Sequence, residues 1–192
     1  MKNIKAWCST LQRDILHAAS GTNYCQGFQL PLQSYLITFL KPEYQLVLWY
    51  RIYSAIYKCK PRIFGYLIYL FAKFVYKCDL HPKSSIGPGF MVMHGFDLVI
   101  GPDVTIGKDV VVFNGVSMGK KHVGVLGGGM PRIGDACVIG TGAKLLGDII
   151  IGDRVIVGAN SVVLNDVPAR TTCAGIPARI IGDSAALAEP AP

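Results

Sequence analysis

Histidine is scarce in this 192-residue chain, and metal-binding patterns are missing from it. The four histidines, His17, His81, His94 and His122, include no pair spaced i, i+4 or i, i+5. The six cysteines form no C-x-x-C pair and none of the spacings typical of a zinc ribbon. These absences argue against a structural zinc site and against a zinc-dependent hydratase. The sequence therefore predicts no bound metal.

The chain also lacks a long apolar run and a recognisable secretory leader. The apolar stretch Ile63–Ala72 has ten residues and ends at Lys73, whereas a membrane span needs about 20. Residues 1–16 mix basic and acidic side chains with short apolar pieces, which is not typical of a signal peptide. The sequence therefore predicts a cytoplasmic protein with reduced thiols.

Glycine, by contrast, is abundant and regularly spaced. A large apolar residue followed by glycine returns at six-residue steps: Ile100-Gly101, Ile106-Gly107, then Ile133-Gly134, Ile139-Gly140, Ile151-Gly152 and Val157-Gly158. Val112, Leu145 and Val163 continue the same six-residue series without a following glycine. The position four residues after each of these nine apolar residues is apolar or small: Val104, Val110, Val116, Cys137, Ala143, Ile149, Val155, Ser161 and Val167. A period of six fits neither an isolated helix nor a two-residue strand repeat and is typical of a stacked solenoid. The sequence predicts a parallel β-helix whose coils each hold three short strands, with two inward residues per hexad.

Three regions follow from this pattern. Residues 1–78 are predicted to be an α-helical, basic, aromatic-rich cap with helices over 1–19, 32–40, 43–58 and 62–77. Residues 79–182 are the predicted β-helix, and 183–192 are a predicted flexible tail. The hexad phase breaks at His94-Gly95, and again where the segment 119–131 leaves the repeat. A long loop on a rigid scaffold is expected to carry function.

The positive charge belongs to the cap. Residues 1–78 hold ten Lys or Arg against Asp14 and Glu43, a net +8, whereas 79–192 carry a net −1. No basic stripe continues onto the repeat, so nucleic acid is not a predicted partner. Two interpretations of the cap stay open: it packs against the β-helix and other copies of itself, or it also contacts the anionic inner face of the membrane.

Asp79 and His94 are the candidate catalytic pair. They lie fifteen residues apart, slightly less than one eighteen-residue coil, and adjacent coils stack about 4.8 Å apart. A carboxylate that holds one imidazole nitrogen makes the other nitrogen an effective general base. The alternatives are a turn histidine bonded to the backbone and an aspartate that caps the first coil. No serine or cysteine elbow lies nearby, so direct transfer is favoured over a covalent enzyme intermediate.

These residues and motifs resemble a known family. The motifs that carry the resemblance are Asp79-Leu-His-Pro-Lys-Ser-Ser-Ile-Gly, His94-Gly95, Gly115-Val-Ser-Met-Gly119, Pro131-Arg-Ile-Gly-Asp135, Ile139-Gly-Thr-Gly-Ala-Lys144 and Gly158-Ala-Asn-Ser-Val-Val163. They are similar to the serine acetyltransferase branch of the hexapeptide-repeat acyltransferases. The resemblance implies a left-handed β-helix, a homotrimer or dimer of trimers, acetyl-CoA as co-substrate, His94 as catalytic base and Asp79 as its orienting carboxylate.

The same resemblance implies where the substrates bind. The acetyl-CoA contacts would be Gly119, Thr141, Gly142, Ala143, Ala159, Asn165 and Arg179. By their positions in the family pattern, Met93 and Met130 would meet the acceptor. His122, in the loop 119–131, would meet it if that loop folds over the site, and the alternative for His122 is a solvated loop tip. Serine-specific members carry an acidic residue before the catalytic histidine and Arg-His before the proline that closes the loop, where this chain has Met93 and Gly129-Met130.

Both of the charges that serine needs are therefore missing from their usual positions. The sequence-based prediction is an O-acetyltransferase of a sugar or polysaccharide hydroxyl in capsule, O-antigen or exopolysaccharide synthesis. The alternatives are a serine O-acetyltransferase of cysteine biosynthesis and a non-catalytic β-solenoid scaffold.

Overall fold

Four helices precede a three-sided stack of short strands. The computed structural model describes residues 2–20, 32–121 and 128–184. The helices are α1 (Lys2–Ser20), α2 (Leu32–Leu40), α3 (Pro42–Lys58) and α4 (Ile63–Tyr76). Each of the four lies within one residue of its predicted bounds.

Local chemistry explains where α3 and α4 begin and end. Pro42 opens α3 after Lys41, whose backbone is extended, because proline suits the first helical turn, where its missing N–H has no intrahelical partner. Glu43 follows in the first turn, where a carboxylate favours the positive end of the helix dipole. At the other end of the cap, Lys77 has a left-handed backbone (φ 53°) and ends α4.

Fifteen strands form the rest of the structure. They are β1 (Asp79–Leu80), β2 (Ser85–Ile86), β3 (Met91–Met93), β4 (Val99–Ile100), β5 (Thr105–Ile106), β6 (Val111–Phe113), β7 (Ser117–Gly119), β8 (Arg132–Ile133), β9 (Val138–Ile139), β10 (Lys144–Leu146), β11 (Ile150–Ile151), β12 (Ile156–Val157), β13 (Val162–Val163), β14 (Thr171–Gly175) and β15 (Ala178–Asp183). From β1 to β13 each successive strand turns onto the next face, so the strands form three sheets around one prism.

The three sheets are continuous along the stack. The first sheet has the order β1-β4-β7-β10-β13, the second β2-β5-β8-β11, and the third β3-β6-β9-β12-β14-β15. All strand pairs are parallel except β14 with β15. This arrangement is the predicted left-handed parallel β-helix, and that prediction is confirmed.

The interior of the prism follows the six-residue pattern. The nine small inward positions of the repeat are all buried, from Val104 at 0% exposed to Val167 at 6%. The larger residues Ile100, Met118, Ile139 and Leu145 are 0% exposed. Two inward side chains per hexad fill the prism, and their burial is the main apolar stabilisation of this domain.

The helical cap covers the lower end of the prism, where the first coil has no coil below it. The Tyr53 hydroxyl donates to the Leu80 carbonyl (2.6 Å), and the Tyr50 hydroxyl donates to the Ser84 carbonyl (2.8 Å). Arg51 donates to the carbonyls of Ile86 (2.5 Å) and Gly87 (2.6 Å). One face of α3 thus satisfies carbonyl groups at an open sheet edge, which would otherwise be costly to bury.

A buried ion pair joins α1 to this contact. Asp14 is 1% exposed and Arg51 is 7% exposed, and the Arg51 Nε lies 2.9 Å from Asp14 Oδ2. Asp14 Oδ1 also accepts the N–H of Gly89 (2.7 Å). The pair therefore fixes α1, α3 and the first coil together.

One face of α4 points away from the prism. The side chains of Ile63, Phe64, Leu67, Leu70, Phe71, Phe74 and Val75 are between 44% and 72% exposed. Within the described ranges, no helix is both long and apolar enough to cross a membrane. The exposed apolar area of α4 is a candidate contact surface.

Candidate active site

His94 lies at the foot of a column of turns, which we call the His94 column. Each turn leads from the third sheet into the first: His94–Phe96, Asn114-Gly115, Thr141-Gly142 and Ala159-Asn160. Hydrogen bonds connect the turns vertically, from Gly115 N–H to Phe96 O (3.0 Å), Gly142 N–H to Asn114 O (2.8 Å) and Asn160 N–H to Thr141 O (2.7 Å). Three coil spacings of about 4.8 Å each separate the His94 turn from the Ala159 turn.

The histidine itself is exposed and conformationally unusual. His94 has φ 56°, in the left-handed region, and its carbonyl accepts the Phe96 N–H (2.7 Å). Its side chain is exposed. The turn thus presents an imidazole at the prism surface, at the point where the hexad phase breaks.

Asp79 begins β1 on the first sheet, close to the base of the His94 column. Its N–H donates to Leu98 O (2.7 Å), and β1 pairs with β4, the strand that follows the His94 turn. Its Oδ1 accepts the Tyr69 hydroxyl (2.6 Å), and its Oδ2 pairs with Lys73. Among the described residues, no hydrogen bond joins Asp79 to His94. Both carboxylate oxygens are instead held by α4.

Tyr69 and Lys73 are site residues that the sequence-based interpretation did not include. Burial and the Asp79 carboxylate raise the pKa of Tyr69 above its ordinary value, so its hydroxyl stays a proton donor toward Asp79. The signal was present in the sequence, because the two residues are four apart on one helix face, immediately before β1. The sequence did not show that this face contacts Asp79.

The seven predicted acetyl-CoA contacts fall into four places in the structure. The His94 column contains Thr141, Gly142 and Ala159. Within it, the Thr141 hydroxyl donates to Asn114 Oδ1 of the turn below (3.3 Å). Gly119 ends β7 and Asn165 follows β13, so both lie at the opposite ends of first-sheet strands.

Arg179 lies at the top of the stack. It is exposed on β15 and pairs with Ala174 of β14. A Cβ placed on Gly158 would lie 2.8 Å from the Ala174 side chain. Because Gly158 directly precedes the Ala159-Asn160 turn, the Ala174–Arg179 pair borders the upper turn of the His94 column. A guanidinium there can reach an anionic ligand that lies along the column.

Ala143 requires a correction. Its side chain is 0% exposed inside the prism, its N–H donates to Gly140 O (3.2 Å), and its carbonyl accepts the Ser117 N–H (3.0 Å). The predicted contact with acetyl-CoA is not available to this side chain. Its inward position in the hexad pattern explains why.

Two of the three predicted acceptor residues, Met93 and Met130, border different sheets of the prism. Met93 ends β3 beside His94, whereas Met130 lies where the loop rejoins the prism, its Cε 3.5 Å from a Cβ placed on Gly101. His122 lies outside the described residues. Of the two that the structure describes, Met93 is the one next to His94.

A cavity of about 330 Å³ opens beside Met93 and His94. Its other walls come from α1, from β3 and from the start of α3, and Lys41 and Glu43 line it. Neither of these charged residues was a predicted site residue. The rarity of acidic residues in the cap was the one sequence signal that could have drawn attention to Glu43.

The described residues contain no group of three or more His, Cys, Asp or Glu side chains able to hold a metal ion. His81 lies after β1 and accepts the Lys83 N–H at its Nδ1 (3.1 Å). Its ring packs against Tyr69 with centroids 5.8 Å apart. These contacts give His81 a local structural role.

Comparisons with known proteins decide the family. Residues 130–165 match the bacterial transferase hexapeptide model of six repeats. A serine acetyltransferase of Helicobacter pylori strain J99 is 35% identical over 152 residues, which cover 76% of this chain and 84% of that protein. The chain belongs to the serine acetyltransferase family. The serine acetyltransferase of Bacillus subtilis is 38% identical over 139 residues, covering 69% of this chain and 60% of that relative.

Solved structures of the serine acetyltransferase family have the same fold. The Neisseria gonorrhoeae enzyme superposes with a TM-score of 0.83 at 26% identity, over 94% of this chain and 66% of that one. The Brucella abortus enzyme in complex with coenzyme A gives a TM-score of 0.81 at 28% identity, over 95% and 70% of the two chains. Membership of this family confirms the predicted acetyl-CoA-dependent O-acyltransferase.

The predicted sugar or polysaccharide acceptor is wrong. The relatives from Helicobacter, Bacillus and Synechococcus are all named serine acetyltransferases, and so are the structural neighbours. The prediction was wrong because it assumed that uncharged residues at positions 93 and 130 leave the whole acceptor site without charge. Charge at a site can come from other elements, and here Lys41 and Glu43 line the cavity at His94.

Proposed function

We propose that this chain is a serine O-acetyltransferase, which moves the acetyl group of acetyl-CoA to the hydroxyl of L-serine. The observation that carries the proposal is the match to serine acetyltransferases over 84% of the length of the Helicobacter relative. The position of an exposed imidazole at the foot of the His94 column supports it, because the column is a continuous surface along which an extended thioester can lie.

In this reaction His94 acts as the general base. Its imidazole accepts the proton of the serine hydroxyl while the hydroxyl oxygen attacks the thioester carbonyl. The resulting tetrahedral intermediate collapses by breaking the carbon–sulfur bond, and the imidazolium returns the proton to the departing CoA thiolate. The products are O-acetylserine and CoA.

Asp79 is a proposed positioning residue in this mechanism. Its carboxylate lies at the base of the column, where Tyr69 and Lys73 fix it. A carboxylate in this place favours an imidazolium that forms at His94. This role requires the His94 side chain to turn toward β1 when the substrates bind.

Acetyl-CoA is proposed to lie along the His94 column, with its acetyl end at His94. Thr141, Gly142 and Ala159 offer a surface of small side chains, and Arg179 offers a cation for phosphate at the top. Gly119 and Asn165 lie at the far ends of first-sheet strands, so they would serve a neighbouring copy of the prism. That arrangement fits a homotrimer, in which each site lies between two prisms.

The apolar face of α4 is proposed to join copies of the chain, with trimers pairing through their caps. The exposed side chains Leu67 and Phe74 lie seven residues apart on this face. The other occupant proposed from sequence, an anionic membrane surface, matches the basic charge of the cap. The comparisons offer no support for it.

Loss of the acetyl-CoA thioester with L-serine tests the function. Because Cys8 and Cys59 are exposed, thioester absorbance is preferable to a thiol reagent, and mass spectrometry should identify O-acetylserine. The expected result is turnover that depends on L-serine and is absent with sugars. Turnover with a sugar but not with serine would refute the proposal.

A further inference from the structure

The cavity beside His94 carries two opposite charges that the sequence does not place near a histidine. Lys41 and Glu43 lie on either side of Pro42 at the start of α3, and both line the cavity together with Met93 and His94. Residue 43 is fifty-one positions before His94 in the chain. Only packing of α3 against β3 brings them to one space.

Glu43 packs directly against the turn that holds His94. A Cβ placed on Gly95 would lie 3.5 Å from the Glu43 Cγ. Glu43 is half-buried, and among the described residues its carboxylate has no hydrogen bond or ion pair. The other carboxylate of the cap, Asp14, is committed to Arg51 and to the N–H of Gly89. Glu43 is therefore the carboxylate that the cap can offer to a ligand.

The other walls of the cavity are mostly apolar. Tyr44 is 5% exposed, Phe90 is 1% exposed and Val47 is 2% exposed. A small site with apolar walls and a few convergent polar groups is the usual form of a small-molecule pocket. Within such walls a charged pair discriminates strongly between ligands that match it and ligands that do not.

We infer that this cavity is the acceptor site and that it recognises a small hydroxy amino acid as a zwitterion, with Glu43 binding the ammonium group and Lys41 the carboxylate. The inference rests on the proposed function, because it assigns the amino-acid acceptor of that reaction. The hydroxyl of the acceptor then faces His94. The two charges that are missing at positions 93 and 130 are supplied by the start of α3.

The geometry of the chain favours this pairing. Both Lys41 and Glu43 line the same cavity of about 330 Å³, so one small ligand inside it can meet a cation and a carboxylate together. Met93, next to His94, supplies an apolar wall in place of a charge.

The test uses steady-state kinetics of the full-length enzyme with three acceptors. L-Serine carries both charged groups, 2-aminoethanol lacks the carboxylate, and 3-hydroxypropanoate lacks the ammonium group. Glu43→Gln should raise the KM for L-serine about 10- to 100-fold, the value of one charged hydrogen bond. It should leave the KM for acetyl-CoA and the activity with 3-hydroxypropanoate unchanged.

Lys41→Gln should show the complementary pattern. The KM for L-serine should rise by a similar factor, and the activity with 2-aminoethanol should not change. Asp97→Asn is the matched control, since it removes an exposed carboxylate three residues after His94 and keeps a residue that tolerates φ 53°. This control should keep the KM of the parent enzyme.

Two outcomes separate the two proposals. If the parent enzyme acetylates L-serine and Glu43→Gln and Lys41→Gln leave its KM unchanged, the charge assignment is overturned and the function stands. A rise in KM for Asp97→Asn alone would move the ammonium site to Asp97. If the parent enzyme ignores L-serine, the proposed function itself fails.

Discussion

His94 combines an exposed imidazole with a left-handed backbone, and the two properties have one origin. The turn from β3 to β4 needs a residue at φ 56°, a region where His, Asn and Asp occur several times more often than other side chains. The turn therefore tolerates a histidine that the interior of the prism would not. A substitution at this position must therefore suit the left-handed backbone as well as change the chemistry of the side chain.

His94→Asn removes the proposed base and keeps a side chain that suits the turn. We expect turnover with L-serine to fall by about 10²- to 10⁴-fold, the usual contribution of a general base. The KM for acetyl-CoA and the thermal midpoint should stay close to those of the parent. His81→Gln, which removes a different imidazole, is the control and should keep its turnover. Retention of activity in His94→Asn would exclude His94 as the base.

His81 predicts a pH dependence of stability. Burial lowers the pKa of His81 below its ordinary 6.5, and the Asp79 carboxylate opposes this shift. Because the Lys83 N–H donates to Nδ1, the folded state favours the neutral ring. The neutral His81 ring therefore contributes to the free energy of unfolding above pH 6.5. This contribution is lost as the pH falls through the lower pKa that His81 has in the folded state.

The measurement is urea unfolding across this pH range. The parent enzyme should lose free energy of unfolding below pH 6.5 more steeply than His81→Gln. Parallel pH profiles for the two proteins would contradict the assignment.

At the scale of elements, α3 is the part that joins cap and prism. Its residues Tyr50, Arg51 and Tyr53 donate to carbonyls of the first coil, and Glu43 at its start lines the cavity. A helix that closes the edge of a sheet also fixes how far its first turn lies from His94. Stability and the proposed recognition of the acceptor are therefore linked through one helix.

Arg51→Met tests the buried ion pair between Arg51 of α3 and Asp14 of α1. Burial raises the pKa of Asp14 and the Arg51 charge opposes that rise, so removing Arg51 leaves a buried carboxylate without its cation. We expect a loss of about 3–5 kcal/mol in the free energy of unfolding by urea. The double variant Asp14→Leu/Arg51→Met should recover much of this loss.

Arg13→Met is the matched control for that measurement. It removes a more exposed pairing with Asp109, since Arg13 is 51% exposed, and such pairs contribute about 0–1 kcal/mol. Equal losses for Arg51→Met and Arg13→Met would show that the buried pair has no special role.

At the scale of the whole molecule, the prism and cap leave a large apolar surface uncovered. The α4 face is the largest such set of neighbouring side chains on one described element, and monomeric proteins rarely expose patches of that kind.

Leu67→Glu/Phe74→Glu tests the proposed pairing of trimers. Light scattering after size exclusion should give a hexamer for the parent protein and a trimer for this variant, because two carboxylates on each copy would meet across the interface. Ile176→Glu, at another exposed apolar residue (74% exposed), is the control and should leave the hexamer intact. Sedimentation of the parent protein with anionic vesicles, lost in the α4 variant, would instead identify a membrane surface.

The sequence predicted the repeat because a β-helix places the same local requirement on every hexad. An inward apolar residue such as Ile139 and a small one such as Cys137 recur wherever the chain turns a corner, so periodicity alone indicated the prism. The same regularity marked His94, since the phase breaks there. The four helices were predictable for a similar reason, as Pro42 and Pro61 interrupt long apolar periods.

The amino-acid sequence by itself determined the coil, its inward positions and the exposed histidine, because these depend on residues close together in the chain. Only the tertiary structure decided that Tyr69 and Lys73 hold Asp79 and that Glu43 lies beside the His94 turn. Those contacts join elements far apart in the chain, and they depend on how α3 and α4 pack against the first coil. Local periodicity carries no information about that packing, so the charges that line the cavity beside His94 were visible only once the cap was in place.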